Sequence, residues 1–536
     1  FRLRAKLRLP AGSGGAARSA RLLAGAQRAG VAAAACDSGV ALVRTDALIA
    51  GGRDGSDLRT LPGVAFVEMR ALLAVSLSAD GSLLACATPR SLYIYGSAAL
   101  LADGAAATAP REIFTLGMDE GEIVQAEFST HAPHRLLLVT STGMAYVLQV
   151  DANGASGAKL ALEGSGDAVA AAWAPAGDVV AIARSDDIIC VGADDAKVRW
   201  SVRLGEGAME ESMAELEGAL FVEALRWPTD ATLLCTVGSA DEGDETSALV
   251  ALDVRSGSAE VAACDVEMGL GIFEDDLTSG SRQRALTHCA AVEQWGVAVV
   301  ADRRASDDHL NLVSCAWDRS AEQPSPCLLR IAEDIALARV EMVDGNDDFV
   351  VGLCMDLTRA SDAVDDPRDD EAPAVPCAPL LLALTSAGVL WCYALAAADS
   401  DVPVPARDVI SAPAAIPEFE ASQAEAAAPE QPPAEGGSSN DTAEAEGESS
   451  QGLGALGAAL GAALPDSDDD EESDASAEES VGEVGAGSVA PAAVQSALSD
   501  GETEDSTQAG GGRAGTSDDD TDESEVEAPF RQEGAT

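Results

Sequence analysis

Apolar and polar positions along the chain fall into one recurring pattern. Its clearest copy is Val169–Val191, VAAAWAPAGDVVAIARSDDIICV. An apolar run ends in Trp173, and Ala174-Pro175-Ala176-Gly177 turns the chain. Val179–Ala183 is a second apolar run, Arg184-Ser185-Asp186-Asp187 turns again, and Ile188–Val191 is a third. Short β-rich runs bounded by turn residues predict strands joined by hairpins. The same unit lies upstream without a gap in Leu73–Tyr95, with Leu77 matching Trp173 and Gly81 matching Gly177. Tight hairpins need residues that accept positive φ, which explains the two glycines.

Further copies are Val124–Val150, Ala224–Val254, His288–Val313 and Val350–Leu395, with a degraded one at Gly30–Val43. About seven units recur at a spacing of roughly 40–55 residues, the period of propeller blades. The expected fold is all-β: a seven-bladed, WD40-like β-propeller over residues 1–400. Phe1–Leu9 alternates, with Phe1, Leu3, Ala5, Leu7 and Leu9 on one face and Arg2, Arg4, Lys6 and Arg8 on the other. That is a half-buried strand with no blade of its own. It is expected to close the ring on the last blade near Leu380–Leu395, removing an exposed edge, in preference to serving as a basic targeting arm.

Between these units, Ala11–Arg28 reads as a small-residue connector. Its glycines lack the Gly-Lys-Ser/Thr that would seat a phosphate. Gly205–Gly218 predicts a short helix between the fourth and fifth blades. Ser239–Thr246 and Ala360–Pro376 read as acidic projecting loops. Beyond residue 400 the composition shifts. Residues 401–419 keep Val, Ile, Pro and Phe and are expected to pack on the propeller as an extension. Residues 420–536 form an acidic low-complexity tail, expected to be disordered because it has too little apolar surface to bury. Within it, Ser467, Ser499 and Ser517 each have an acid three residues on, the spacing acidophilic kinases read. Leu453, Leu456, Leu460 and Leu464 fall at helical spacing, but glycine-rich filler accounts for them better than a partner-induced helix.

Charge changes the picture more than length does. The 536 residues carry a formal net charge of −58, roughly half of it after residue 400. Such acidity disfavours direct nucleic-acid or anionic-membrane binding and favours basic protein partners. Eleven cysteines without a CxxC pair read as reduced, buried thiols. No signal peptide or bilayer-length apolar run is found, and the chain begins at Phe1, which leaves open an N-terminus further upstream.

Candidate chemistry is sparse. His131 and His134 are the closest of four histidines, yet no Cys or acidic pair stands beside them at metal-ligand spacing. No nucleophile elbow, Cys/His motif or HExxH is present, so no catalytic, cofactor or metal residues are assigned. Trp173, Trp227 and Trp295 occupy matching places in their units and read as core.

Four segments stand out together: Phe1–Leu9, the Trp173–Gly177 turn, Glu293-Gln294-Trp295, and the last part from Asp347-Asp348 through Gly352 and Asp356-Leu357-Thr358 to Pro379–Leu390. In these the chain resembles a known family, the large phenylalanine-glycine nucleoporin of the CAN type on the cytoplasmic face of the nuclear pore. The order of segments matches over about 395 residues. The resemblance implies a non-enzymatic pore scaffold that docks a DEAD-box RNA helicase used in mRNA export, alongside other nucleoporins. An acidic propeller edge would meet the helicase's basic N-terminal RecA-like domain and compete with RNA for it. By position, the contacting loop is Glu333–Phe349. Met342 is its apolar contact and Asp344 its acidic one, with Glu341, Val343, Asp347 and Asp348 beside them. Leu337 stands where the animal pattern has a basic residue, and Arg339 lies nearby. The tail lacks any Phe-Gly, so either the chain is an N-terminal piece or its lineage lost that half. The alternative reading is a histone- or basic-protein-binding propeller with a chaperone tail; a propeller enzyme ranks last for want of a catalytic set.

Overall fold

In the computed structural model the repeat becomes seven sheets, each with four antiparallel strands running from the centre outward; in the sheet that holds Arg2–Arg8, Ser56–Asp57 adds a fifth strand, parallel to it. It describes residues 1–9, 21–51, 55–102, 109–110, 112–150, 156–163, 166–214, 216, 218–240, 245–255, 262–266, 268, 270, 287–302, 309–317, 326–329, 331, 337–340, 349–358, 363–364, 375–376 and 379–396. The expectations for 401–419, for the acidic tail and its serines, and for Leu453–Leu464 lie outside these residues.

The inner strands are Leu23–Ala26, Ala74–Leu77, Ile123–Phe128, Ala170–Trp173, Ala219–Thr229, His288–Val292 and Val350–Asp356, for blades 1 to 7 in that order. Most touch the inner strand of the next blade, and the last touches the first, which makes the molecule a closed seven-bladed β-propeller. Leu23–Ala26 corrects the reading of Ala11–Arg28 as connector throughout. Its LAGA sequence is too small to register as an apolar run, yet Leu23 and Ala26 are buried.

Apolar runs, rather than alternation, mark the middle strands because both faces of each blade are covered. In Arg135–Thr140, Leu136 and Leu138 pack toward blade 2 with Leu83, Ala85 and Ile94. Leu137 and Val139 point the other way, into a cluster with Trp173, Val180 and Ile182 of blade 4. Period-two geometry sends successive side chains to opposite neighbours, so each blade glues two interfaces. The fourth, outer strands are more polar. Val198–Arg203, for example, leaves Val198, Arg199, Ser201 and Arg203 exposed. That is why only three segments per unit were legible in the sequence.

Phe1–Leu9 supplies the outer strand of blade 7. Arg2–Arg8 pairs antiparallel with Val389–Ala394, Leu7 opposite Leu390 and Lys6 opposite Trp391. Ala5 and Leu7 are buried, and the Lys6 ammonium sits 4.1 Å from the Trp391 ring centroid. Leu3, expected on the buried face, is 46% exposed instead, because the register shifts between Leu3 and Ala5. One loop expectation also needs correction, and a second gains detail. Strands extend to Ala240 and resume at Glu245, so the Ser239–Thr246 loop is reduced to the four residues 241–244. Ala360–Pro376 contains a small strand pair, Ala363–Val364 with Val375–Pro376. The predicted helix is Ala208–Ser212, anchored by buried Met209 and Met213.

Ten cysteines lie among the described residues as free thiols, none of them exposed. Burial pushes the thiols of Cys86 and Cys392 up to about 12. Because the thiolate is the nucleophile, a disulfide reagent at mildly alkaline pH is expected to leave both unmodified while it labels an unfolded control fully. Equal labelling of native and unfolded protein would contradict this packing.

Candidate docking face and central channel

An antiparallel blade puts its blade-to-blade connections and second-to-third-strand turns at one end of the ring. The loop that the resemblance singles out is such a connection, from blade 6 to blade 7. Its six candidate residues, Glu341, Met342, Val343, Asp344, Asp347 and Asp348, lie outside the described residues. Both stems are described. On the first, Ala338 is buried and its carbonyl accepts from Leu310 N at 3.0 Å. His309 and Arg339 form a β-bridge, and the Tyr393 hydroxyl donates to the Arg339 carbonyl. On the second, Ser386 N donates to the Phe349 carbonyl at 2.8 Å, and Phe349 N donates to Ser386 Oγ at 3.2 Å. Leu337 is half-buried and Arg339 is exposed.

The same end of the ring is acidic well beyond that loop. Exposed Asp119 and Glu122 lie on the connection into blade 3, Glu163 on that into blade 4, and Glu206 and Glu210 on that into blade 5. Asp186 is exposed on the turn within blade 4. Side chains on three successive connections thus present negative charge to solvent, a surface suited to steering a basic partner.

Sequence reasoning missed the central channel. Ser76, Glu127, Ala172 and Arg226 each precede the residue that matches Trp173 in their units, and all four line one cavity of about 260 Å³. The signal was in the sequence, as a charge set inside an apolar strand at the same place in two units: Glu127 before Phe128 and Arg226 before Trp227. Arg21, just ahead of the first inner strand, forms an ion pair with Glu127. Burial alone would raise the Glu127 carboxyl. The charges of Arg21 and Arg226, with hydrogen bonds from Arg21 and Gln125, hold it below the usual carboxylate value instead. Burial, reinforced by repulsion from Arg21, brings the Arg226 guanidinium down to about 9, although Glu127 pulls the other way. His288, buried beside these arginines, is held well below the ordinary histidine value, first by burial and then by both charges. The channel wall is cross-braced between blades 3 and 4. Gln125 Nε2 donates to the Ala171 carbonyl at 2.7 Å, and Trp173 Nε1 donates to the Glu127 carbonyl at 3.0 Å. Trp173 is therefore core, as expected; Trp227 and Trp295 are only partly buried, against neighbouring clusters.

Among the described residues no group of three or more His, Cys, Asp and Glu side chains is placed to hold a metal ion, and no helix is long and apolar enough to cross a membrane. His131 Nε2 lies 3.3 Å from Arg28 Nη2, at the opposite mouth of the channel from the acidic face.

No protein-family model and no curated protein sequence matches the chain. Solved structures do. One similar chain belongs to an S. cerevisiae assembly of a Dbp5 variant bound to Nup159, a Gle1 variant, IP6 and ADP. Its TM-score is 0.52 at 12% identity, with 74% of this chain and 95% of that one covered. Another is the N-terminal domain of Nup159, with a TM-score of 0.51 at 11% identity, covering 73% and 94%. At these identities the likeness is one of architecture: over nearly the full length of both solved chains, this chain folds as they do.

Proposed function

We propose that this protein is a non-enzymatic scaffold of the nuclear pore that docks a DEAD-box RNA helicase during mRNA export. The observation that carries the reading is the match to the Nup159 N-terminal domain along almost its entire length, together with the solved assembly in which Dbp5 is bound to Nup159. The segment resemblance in the sequence points the same way independently of the fold. The acidic end of the ring fits it physically, since a helicase surface built to hold RNA is basic and recognises negative charge. Charge complementarity would set the encounter rate and the choice of partner, and an apolar anchor would hold the complex.

In the finer form of the proposal, Met342 is the anchor and Asp344 its acidic neighbour, flanked by Glu341, Val343, Asp347 and Asp348. Docking there would compete with RNA, at the cytoplasmic face of the nuclear envelope. Residues 1–400 are expected to capture the organism's DEAD-box export helicase in a pull-down, and single-stranded RNA or raised ionic strength should reduce the yield. Met342→Arg and Asp344→Arg should each weaken capture by tenfold or more, on the order expected of an interface hot spot. Capture that ignores both substitutions would move the site. No capture, with histones retained by the full chain and lost on removal of the tail, would replace the reading with the chaperone one.

A further inference from the structure

We infer that the central channel is a binding site for a small oxyanion of the phosphate class, with Arg226 and Arg21 as its cationic ligands. The wall carries more positive charge than it neutralises. Arg21 and Arg226 face one carboxylate, Glu127, and that carboxylate is already engaged by Arg21. Asp302, the other acid that acts on Arg226, accepts from Thr287 Oγ1 at 2.7 Å. His288 and Cys289 add no charge: burial holds the imidazole unprotonated and pushes the thiol up to about 12.

Arg226 is also short of partners. Its Nη1 donates to the Leu225 carbonyl at 2.6 Å, while Nη2 is buried without a hydrogen-bond acceptor. A guanidinium nitrogen buried without an acceptor is costly, because no hydrogen bond offsets its desolvation. The matching position is held by Ser76 in blade 2, Glu127 in blade 3 and Ala172 in blade 4. Nothing in the blade repeat therefore requires an arginine.

Size limits the ligand. The cavity of about 260 Å³ falls below the roughly 300–1,000 Å³ of sites for drug-sized molecules. Arg28, His131 and Glu293 ring the mouth, where burial and the nearby Asp230 raise the Glu293 carboxyl. An oxyanion that passes them meets the two cationic donors, Arg21 and Arg226, together with the neutral hydroxyl of Ser76. A guanidinium offers a planar fork that matches two oxygens of a phosphate. Occupancy asks Arg226 to turn Nη2 toward the lumen, a movement opposed by the single Nη1 bond to Leu225.

The test uses the full chain and titrates inorganic phosphate at constant ionic strength, read by calorimetry and by the thermal midpoint. Phosphate should raise the midpoint of the wild type, whereas chloride should not. Arg226→Gln should weaken phosphate binding more than tenfold. Glu127→Gln removes the opposing charge and frees Arg21, so it should tighten binding by about tenfold. A misfolded variant cannot produce that gain, so this arm still decides if Arg226→Gln fails to fold. A second titration with O-phosphoserine separates sources: a stronger response than to phosphate assigns the oxyanion to a phosphorylated side chain, a weaker one to the free ion. No phosphate response in the wild type, or equal responses in the wild type and both variants, would overturn the site. Helicase capture at the acidic face does not depend on any of these outcomes.

Discussion

Leu7→Asp is expected to cost about 4 kcal/mol or more of folding stability, the sum of a lost core leucine and an enclosed carboxylate. Leu7 is fully buried in the strand that closes the ring, opposite Leu390 of blade 7, and it packs into the cluster shared by blades 7, 1 and 2. A domain of ordinary stability, about 5–15 kcal/mol, would lose a large share of it. The consequence extends past the site, because releasing this strand uncovers the edge of Val389–Ala394 and invites pairing between chains. Leu3→Asp is the internal control. It lies on the same strand, but it is 46% exposed beyond the register shift, and surface changes usually stay within about 0.5 kcal/mol. Urea unfolding of the two variants decides the matter. Equal midpoints would mean that Arg2–Arg8 does not close the propeller in this register.

The second large effect concerns Gly177, in the turn shared by the two clearest repeats. Its φ is +73°, and Gly81 at the matching position has +67°. A Cβ at Gly177 would stand 2.3 Å from Ser129 Oγ. That hydroxyl accepts from Ala132 N at 3.0 Å and His131 N at 3.3 Å, shaping the corresponding turn of blade 3. Gly177→Ala therefore carries two penalties, about 1–2 kcal/mol for the left-handed backbone and about 1–2 kcal/mol for the displaced hydroxyl and its bonds. The two penalties separate in a double-mutant cycle. In a Ser129→Ala background the hydroxyl is gone, and the next atom, Ala132 N, lies 3.3 Å from the new Cβ. The cost of Gly177→Ala should then fall by about 1 kcal/mol, a coupling of the size expected for residues in contact. Additive costs would mean that the turn of blade 4 is not seated on blade 3.

Legibility differed between parts of the propeller for a physical reason. Inner and middle strands bury both faces, so Leu136–Val139 and Val179–Ala183 stand out as apolar runs. Outer strands such as Val198–Arg203 face solvent and lack that signature. Leu23–Ala26 hid for the opposite reason, as small residues buried where neighbouring inner strands crowd together. The acidic character of this end of the ring could be foreseen from composition. Which acids share that face could not, because Asp119, Glu163 and Glu206 are far apart in sequence and meet only through the order of the blades.

By itself the sequence determined the repeat, its period, the turn glycines and the alternating strand at its start, because local geometry imposes those patterns residue by residue. Tertiary structure alone decided the register shift that turns Leu3 outward and the register in which the first strand meets the last blade, Leu7 opposite Leu390. It also brought together Arg21, Glu127, Arg226 and His288 in one channel. Charges so distant along the chain acquire their meaning only when the closed ring withdraws them from water and sets them against one another.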